Sequence, residues 1–88
     1  MEKIALITGA SRGIGAAAAQ LAAKHGWAVA VNYLANGAAA QAVVDAIRAE
    51  GGTAIAVQGD VASEADILVM FQAVDTQLGR LSALVNNA

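Results

Sequence analysis

Thr8-Gly9-Ala10-Ser11-Arg12-Gly13-Ile14-Gly15 is the stretch on which the reading of this chain turns. It follows a short apolar run, residues 4–7, and leads into an alanine-rich stretch. There Ile14, Ala17, Ala18, Leu21 and Ala22 recur at the spacing of one helix face. A continuous apolar run closed by glycine predicts a buried, parallel strand. Glycine lets the backbone turn sharply and approach a ligand closely. A helix start supplies free N–H groups and the positive end of the helix dipole, which together attract anions. Glycines in this setting, between a strand and a helix, predict a phosphate-binding loop; elsewhere they would make only a tight turn.

Counting separates the versions of such a loop. A Walker A loop needs Gly-Lys after four intervening residues, and the chain has no Gly-Lys pair. The dinucleotide fingerprint G-x-G-x-x-G/A can be laid on Gly13, Gly15 and Ala18, but it would then start well past the strand end. The register T-G-x-x-x-G-x-G begins directly at that end, with Gly9, Gly13 and Gly15 as its glycines.

Further along, the same alternation repeats. Residues 28–31 form a second apolar run. After Asn36-Gly37, Ala39, Val43, Ala46, Ile47 and Glu50 recur at helical spacing, and Gly51-Gly52 stops them. Residues 53–57 form a third run that closes at Gly59. Ser63 with Asp66 resembles a capping box ahead of a stripe of Ile67, Met70, Phe71, Val74 and Leu78. After Gly79, residues 81–85 read as a fourth strand running into Asn86-Asn87-Ala88. The pattern β-α-β-α-β-α-β predicts an α/β, doubly wound parallel sheet of the Rossmann-like kind with strand order 3-2-1-4. That order places the first two helices on one face and the third alone on the other. Part of the second face should be bare and the fourth strand should be an open edge. Residues 1–88 therefore read as the N-terminal part of a single domain that looks cut off.

Composition narrows the function. The chain has 88 residues, 58% of them hydrophobic and 14% charged, and a net charge of −2. Its five basic residues are scattered, which argues against nucleic acid as a partner. With no cysteine and one histidine, His25, disulfides and thiolate or histidine metal centres are excluded. No run approaches the roughly 18 apolar residues of a membrane span, and no signal region precedes the first strand. The expected setting is the cytoplasm, with no membrane partner.

Three motifs at three strand ends together resemble the short-chain dehydrogenase/reductase family, over the whole chain. They are T-G-x-x-x-G-x-G at Thr8 to Gly15, an Asp after the third strand at Asp60-Val61, and N-N-A at Asn86-Asn87-Ala88. The last belongs to a longer motif starting at Gly79, from which the chain departs by carrying Ser82 where the family usually has Asp. A serine keeps a hydrogen-bonding group there but not the charge. Within the family the nearest likeness is to 3-oxoacyl-carrier-protein reductases and glucose 1-dehydrogenase-like members. It rests on Val31-Asn32-Tyr33, Glu50-Gly51-Gly52 and Gly59-Asp60-Val61.

The resemblance implies a nicotinamide cofactor held by Gly9, Ser11, Arg12, Gly13, Ile14 and Gly15 at the phosphates. Asp60 would meet the adenine amino group, Val61 its ring, and Asn87 and Ala88 the ribose side. The alternative for Asp60 is a turn acid beside Ser63, and for Asn86 and Asn87 turn residues with side chain-to-backbone bonds. NAD-specific sites carry an acid at the end of the second strand, on the ribose 2′-hydroxyl. Here that place reads Val31-Asn32-Tyr33-Leu34. Arg12 could pair with a 2′-phosphate and Asn32 could add a hydrogen bond, with Tyr33 beside the adenosine or packed at the strand end. The expected cofactor is NADP(H).

No catalytic residue can be placed in this chain. The family's serine and Tyr-x-x-x-Lys pair have no match, since Tyr33 is the only tyrosine and Gly37 stands four residues on. The implied reaction is hydride transfer between nicotinamide and a small carbonyl or alcohol substrate, in a full-length homo-oligomer, a dimer or tetramer. A non-catalytic dinucleotide-binding module and a fragment without function are the alternatives.

Overall fold

In the computed structural model, which describes residues 3–87, apolar runs and helical stripes alternate as the sequence pattern predicts. The elements are β1 (Ile4–Ile7), α1 (Gly13–Lys24), β2 (Ala28–Tyr33), α2 (Gly37–Ala49), β3 (Thr53–Gln58), α3 (Glu64–Gln77) and β4 (Ala83–Val85). The four strands are parallel in the order β3-β2-β1-β4. The doubly wound reading is borne out.

Strand side chains alternate between two cores. Ala5, Ile7, Val29, Val31 and Ala54 face α1 and α2. Ile4, Leu6, Ala30, Ile55 and Val57 face the other way, where Met70 and Val74 of α3 cover them. The helix ends follow from local chemistry. Asn36 Oδ1 accepts from Ala39 N at 3.0 Å at the start of α2, and Ser63 Oγ accepts from Asp66 N at 3.2 Å at the start of α3. The capping box closes on one side only, because the Asp66 carboxylate turns to Asp60 N at 2.8 Å. Gly26, at φ +91°, ends α1 in the left-handed conformation that glycine tolerates.

Three details differ from the sequence pattern. The inner face of α1 is Gly15 and Ala19, with Ala16, Ala22 and Ala23 packed beside them, while Ile14 is 81% and Leu21 58% exposed. The spacing was right but the face was rotated, because α1 sits too close to the sheet for large side chains. A Cβ on Gly15 would run into Gly9 O and stand 2.6 Å from Asn87 Nδ2. Likewise α2 buries Ala40 and Val44 along with Val43 and Ile47, and leaves Ala46 and Glu50 exposed. The fourth strand is shorter than residues 81–85. Ser82 holds β1 through Ile4 instead, donating N–H to Ile4 O at 2.8 Å and accepting from Ile4 N at its Oγ at 3.3 Å, and ladder pairing starts at Ala83.

On the α3 face the apolar surface is incompletely covered: Leu68, Val69 and Leu84 are exposed, and β4 is an edge strand among the described residues. Residues 1–88 produced alone should self-associate through this face; sedimentation velocity would read it, and a monodisperse, cooperatively melting monomer would contradict it. Gly15→Ala in the intact protein should cost about 1–3 kcal/mol in urea denaturation, the usual penalty for forcing a group into filled space. An unchanged midpoint would mean that the loop can yield.

Candidate cofactor site

At the carboxyl end of the sheet the chain leaves β1 at Thr8 and turns through Gly9, at φ +60°. It turns again at Gly13, at φ +63°, where α1 begins. Both angles lie in the left-handed region that glycine alone adopts without strain. No side chain caps the start of α1, and no acid lies in its first turn. A Cβ added to Gly13 would meet nothing within 4 Å, so the turn is open on its outer side. An uncapped helix start beneath an open glycine backbone suits a phosphate.

Two straps hold the loop in place. On the β4 side, Thr8 N donates to Val85 O at 3.0 Å. The Thr8 hydroxyl lies 3.3 Å from Val85 O and 3.2 Å from Asn86 Oδ1, and it accepts from Asn87 N at 2.8 Å. Asn87 Nδ2 then donates to Gly9 O at 3.3 Å. On the β2 side, Gly9 N donates to Asn32 Oδ1 at 3.1 Å and Ala10 N to Asn32 O at 3.0 Å. Ala10 is fully buried below the loop.

The residues read as cofactor ligands fall into distinct groups. Gly9, Ser11, Arg12, Gly13, Ile14 and Gly15 lie on one turn. Arg12 and Ile14 are exposed, Ser11 is half-buried and Gly15 is buried. Asp60 and Val61 stand at the next strand end. Asp60 Oδ1 accepts from Ala62 N at 2.8 Å, and Ser63 N donates to Asp60 O at 2.9 Å. The acid thus builds the turn before α3, which leaves its second carboxylate oxygen for another partner. Asp60 borders a cavity of about 240 Å³ with Leu34, Gly59 and Val69, whereas Val61 lines a separate one of about 190 Å³ with Leu6, Thr8 and Leu84. Tyr33 packs against the α1–α2 core, and the start of α2 comes close to its ring at Gly37. Ala88 lies outside the described residues.

Asn32 requires a correction. It was expected to offer a hydrogen bond to a 2′-phosphate, but it is 3% exposed and its amide points inward. Its Nδ2 stands 3.3 Å from Val57 O, 3.1 Å from Gly59 O and 3.0 Å from Met70 Sδ. A buried amide keeps its bonds within the protein because losing them is expensive. The parity of the strand could have revealed this: Asn32 follows Ala28 and Ala30 on the inner α3 side. Thr8, the hub of the other strap, was missed as a site residue although it opens the glycine motif.

The family model described as short chain dehydrogenase matches residues 3–88. The chain belongs to that family. An uncharacterised oxidoreductase of Methylorubrum extorquens is 54% identical over 86 residues, 98% of this chain and 35% of its own length. A 3-oxoacyl-[acyl-carrier-protein] reductase of Staphylococcus aureus is 47% identical over 88 residues, all of this chain and 36% of its own. Among solved structures, a dehydrogenase/reductase from Sinorhizobium meliloti superposes with a TM-score of 0.94 at 43% identity, over 98% of this chain and 34% of that one. The angucycline C-6 ketoreductase LanV with bound NADP superposes at 0.87 and 39% identity, over 98% of this chain and 36% of that one. The chain thus spans about a third of the length of these relatives. No described helix is long and apolar enough to cross a membrane.

In this short-chain dehydrogenase chain the Thr8 hydroxyl joins the β4 strap to the Asn87 amide. Thr8→Val keeps the shape but leaves Asn87 N without its acceptor. It should lower stability by about 1–3 kcal/mol and speed hydrogen exchange at the Asn87 amide. Unchanged exchange there would show that the bond from the Asn87 amide to the Thr8 hydroxyl is not formed in solution.

Proposed function

We propose that this chain is the NADP(H)-binding segment of an oxidoreductase that transfers hydride between nicotinamide and a carbonyl or alcohol substrate. The observation that carries the reading is the open glycine turn over an uncapped helix start, clamped between β2 and β4. The loop backbone from Gly9 to Gly15 would hold the pyrophosphate. Asp60 would receive the adenine amino group on its remaining oxygen, with Val61 near the ring. Asn87 and Ala88 would border the ribose. A bound nicotinamide dinucleotide supplies or accepts the hydride; these residues bind and orient it.

The preference for NADP(H) rests on charge. The end of β2 and the turn after it, Asn32 to Asn36, carry no carboxylate that would repel a 2′-phosphate. Arg12 is exposed on the loop, free of any packing role that would hold its guanidinium back. The NADP in the LanV structure is in keeping with this choice. Asn32, with its amide turned inward, supports the loop from below and leaves the phosphate to Arg12.

No residue of the chain is assigned to proton transfer. The family's serine and Tyr-x-x-x-Lys have no counterpart among these residues. The likeness to the 3-oxoacyl-[acyl-carrier-protein] reductase extends to the cofactor half, so the substrate is proposed only as a small carbonyl or alcohol. A homo-oligomer in the cytoplasm completes the proposal.

Arg12→Ala in the intact protein should weaken NADPH binding about tenfold, the worth of one charge-assisted contact, and leave NADH binding within about twofold. Fluorescence titration of the two reduced cofactors measures both. Equal losses would remove Arg12 from the 2′-phosphate and, with it, the main argument for NADP(H).

A further inference from the structure

One buried side chain touches both halves of the candidate site. We infer that Asn32 is a positioning residue that couples the phosphate loop to the adenine-side turn. It would set affinity for the whole dinucleotide without discriminating between NADPH and NADH. The inference rests on the reading of the site as a dinucleotide site.

The geometry fixes the roles of the two amide atoms. Gly9 N–H can only donate, so the Asn32 atom 3.1 Å from it must be the oxygen. The nitrogen is then turned toward Val57 O and Gly59 O, both of which can only accept. The backbone carbonyl of the same residue takes Ala10 N at 3.0 Å. Asn32 therefore captures two successive loop amides, Gly9 and Ala10, and so sets the tilt of the peptide planes that enter the glycine turn.

The other end of the amide reaches the adenine side. Gly59 is buried, and its N–H donates to Tyr33 O at 3.0 Å. A Cβ there would stand 2.6 Å from Met70 Sδ, so the chain just past β3 lies directly against α3. The next residue is Asp60, whose N–H is held by the Asp66 carboxylate. A shift of Gly59 O would move Asp60 with it. The phosphate loop and the Asp60 turn share no direct hydrogen bond among those described; Asn32 bridges them across β2. Nothing about the 2′-position enters this linkage, because the amide is buried and spent.

Two variants of the intact protein, isosteric with each other, test the inference. Asn32→Thr keeps a hydroxyl, one bond closer to the backbone, that can accept or donate; Asn32→Val keeps neither function, and both suit a strand. NADPH and NADH dissociation constants are measured by fluorescence titration well below each variant's melting temperature, so that only folded protein is read. Asn32→Val should weaken both cofactors by the same factor, about tenfold. Asn32→Thr should recover part of that loss, and the NADPH-to-NADH affinity ratio should match the wild type in both. A loss confined to NADPH would overturn the inference in favour of a 2′-phosphate contact. A lowered melting temperature with unchanged dissociation constants would overturn it in favour of a merely structural role. If wild-type protein binds neither cofactor, the dinucleotide reading itself falls, a result distinct from either. Should Asn32→Val fail to fold, Asn32→Thr against wild type still decides: an equal residual loss for both cofactors supports the inference, and unchanged dissociation constants overturn it.

Discussion

The close approach of α1 to the carboxyl ends of β1 and β4 is the constraint on which the rest of the structure depends. A helix start can serve an anion only if its free N–H groups lie where the strand delivers the chain. Gly15 makes that possible, since any side chain there would collide with Gly9 and Asn87. The alanines behind it follow from the same requirement. Ala16, Ala19, Ala22 and Ala23 keep the helix flat against the sheet along its length. The large residues Ile14 and Leu21 are pushed outward as a consequence.

Close packing alone would leave the turn without fixed orientation, because glycine is free to adopt many conformations. The polar straps supply what packing cannot. Thr8 and Asn32 are the buried polar residues of the core, and each spends its side chain on the backbone at the ends of neighbouring strands. No buried side-chain nitrogen or oxygen among the described residues lacks a partner. A fully satisfied buried network rigidifies, whereas a half-satisfied one costs stability. The loop is thereby preorganised, and less ordering entropy is lost when a ligand arrives.

Much of this was legible in the sequence. The glycine turn, the alternation of runs and stripes, and the strand order follow from periodicity and the rules of right-handed crossover. Which face of α1 turns inward was not. Apolar periodicity follows the largest side chains, but here the distance between helix and sheet selects the smallest. The role of Asn32 was hidden for a related reason. A polar residue at a strand end looks like a ligand contact, and only the parity of β2, with Ala28 and Ala30 on the inner side, turns it toward α3. Ser82 illustrates the converse. Its hydroxyl and N–H still hold β1 through Ile4, so the loss of the family's charge leaves the pairing of β4 intact.

The position of the site follows from the topology. After β3 the chain crosses to the far side of β1, so α1 and α3 leave the sheet on opposite faces and a crevice opens between β1 and β4. Ligands in open α/β sheets bind at such a switch point. There side chains add to the backbone pairing of the adjacent strands. Thr8 ties β1 to β4 across that crevice, and Asn32 ties β1 to β3 on its other flank. The two residues bracket the glycine turn from both sides. The turn can therefore stay open to solvent above and still be fixed from below, which a loop held by packing on one side alone could not achieve.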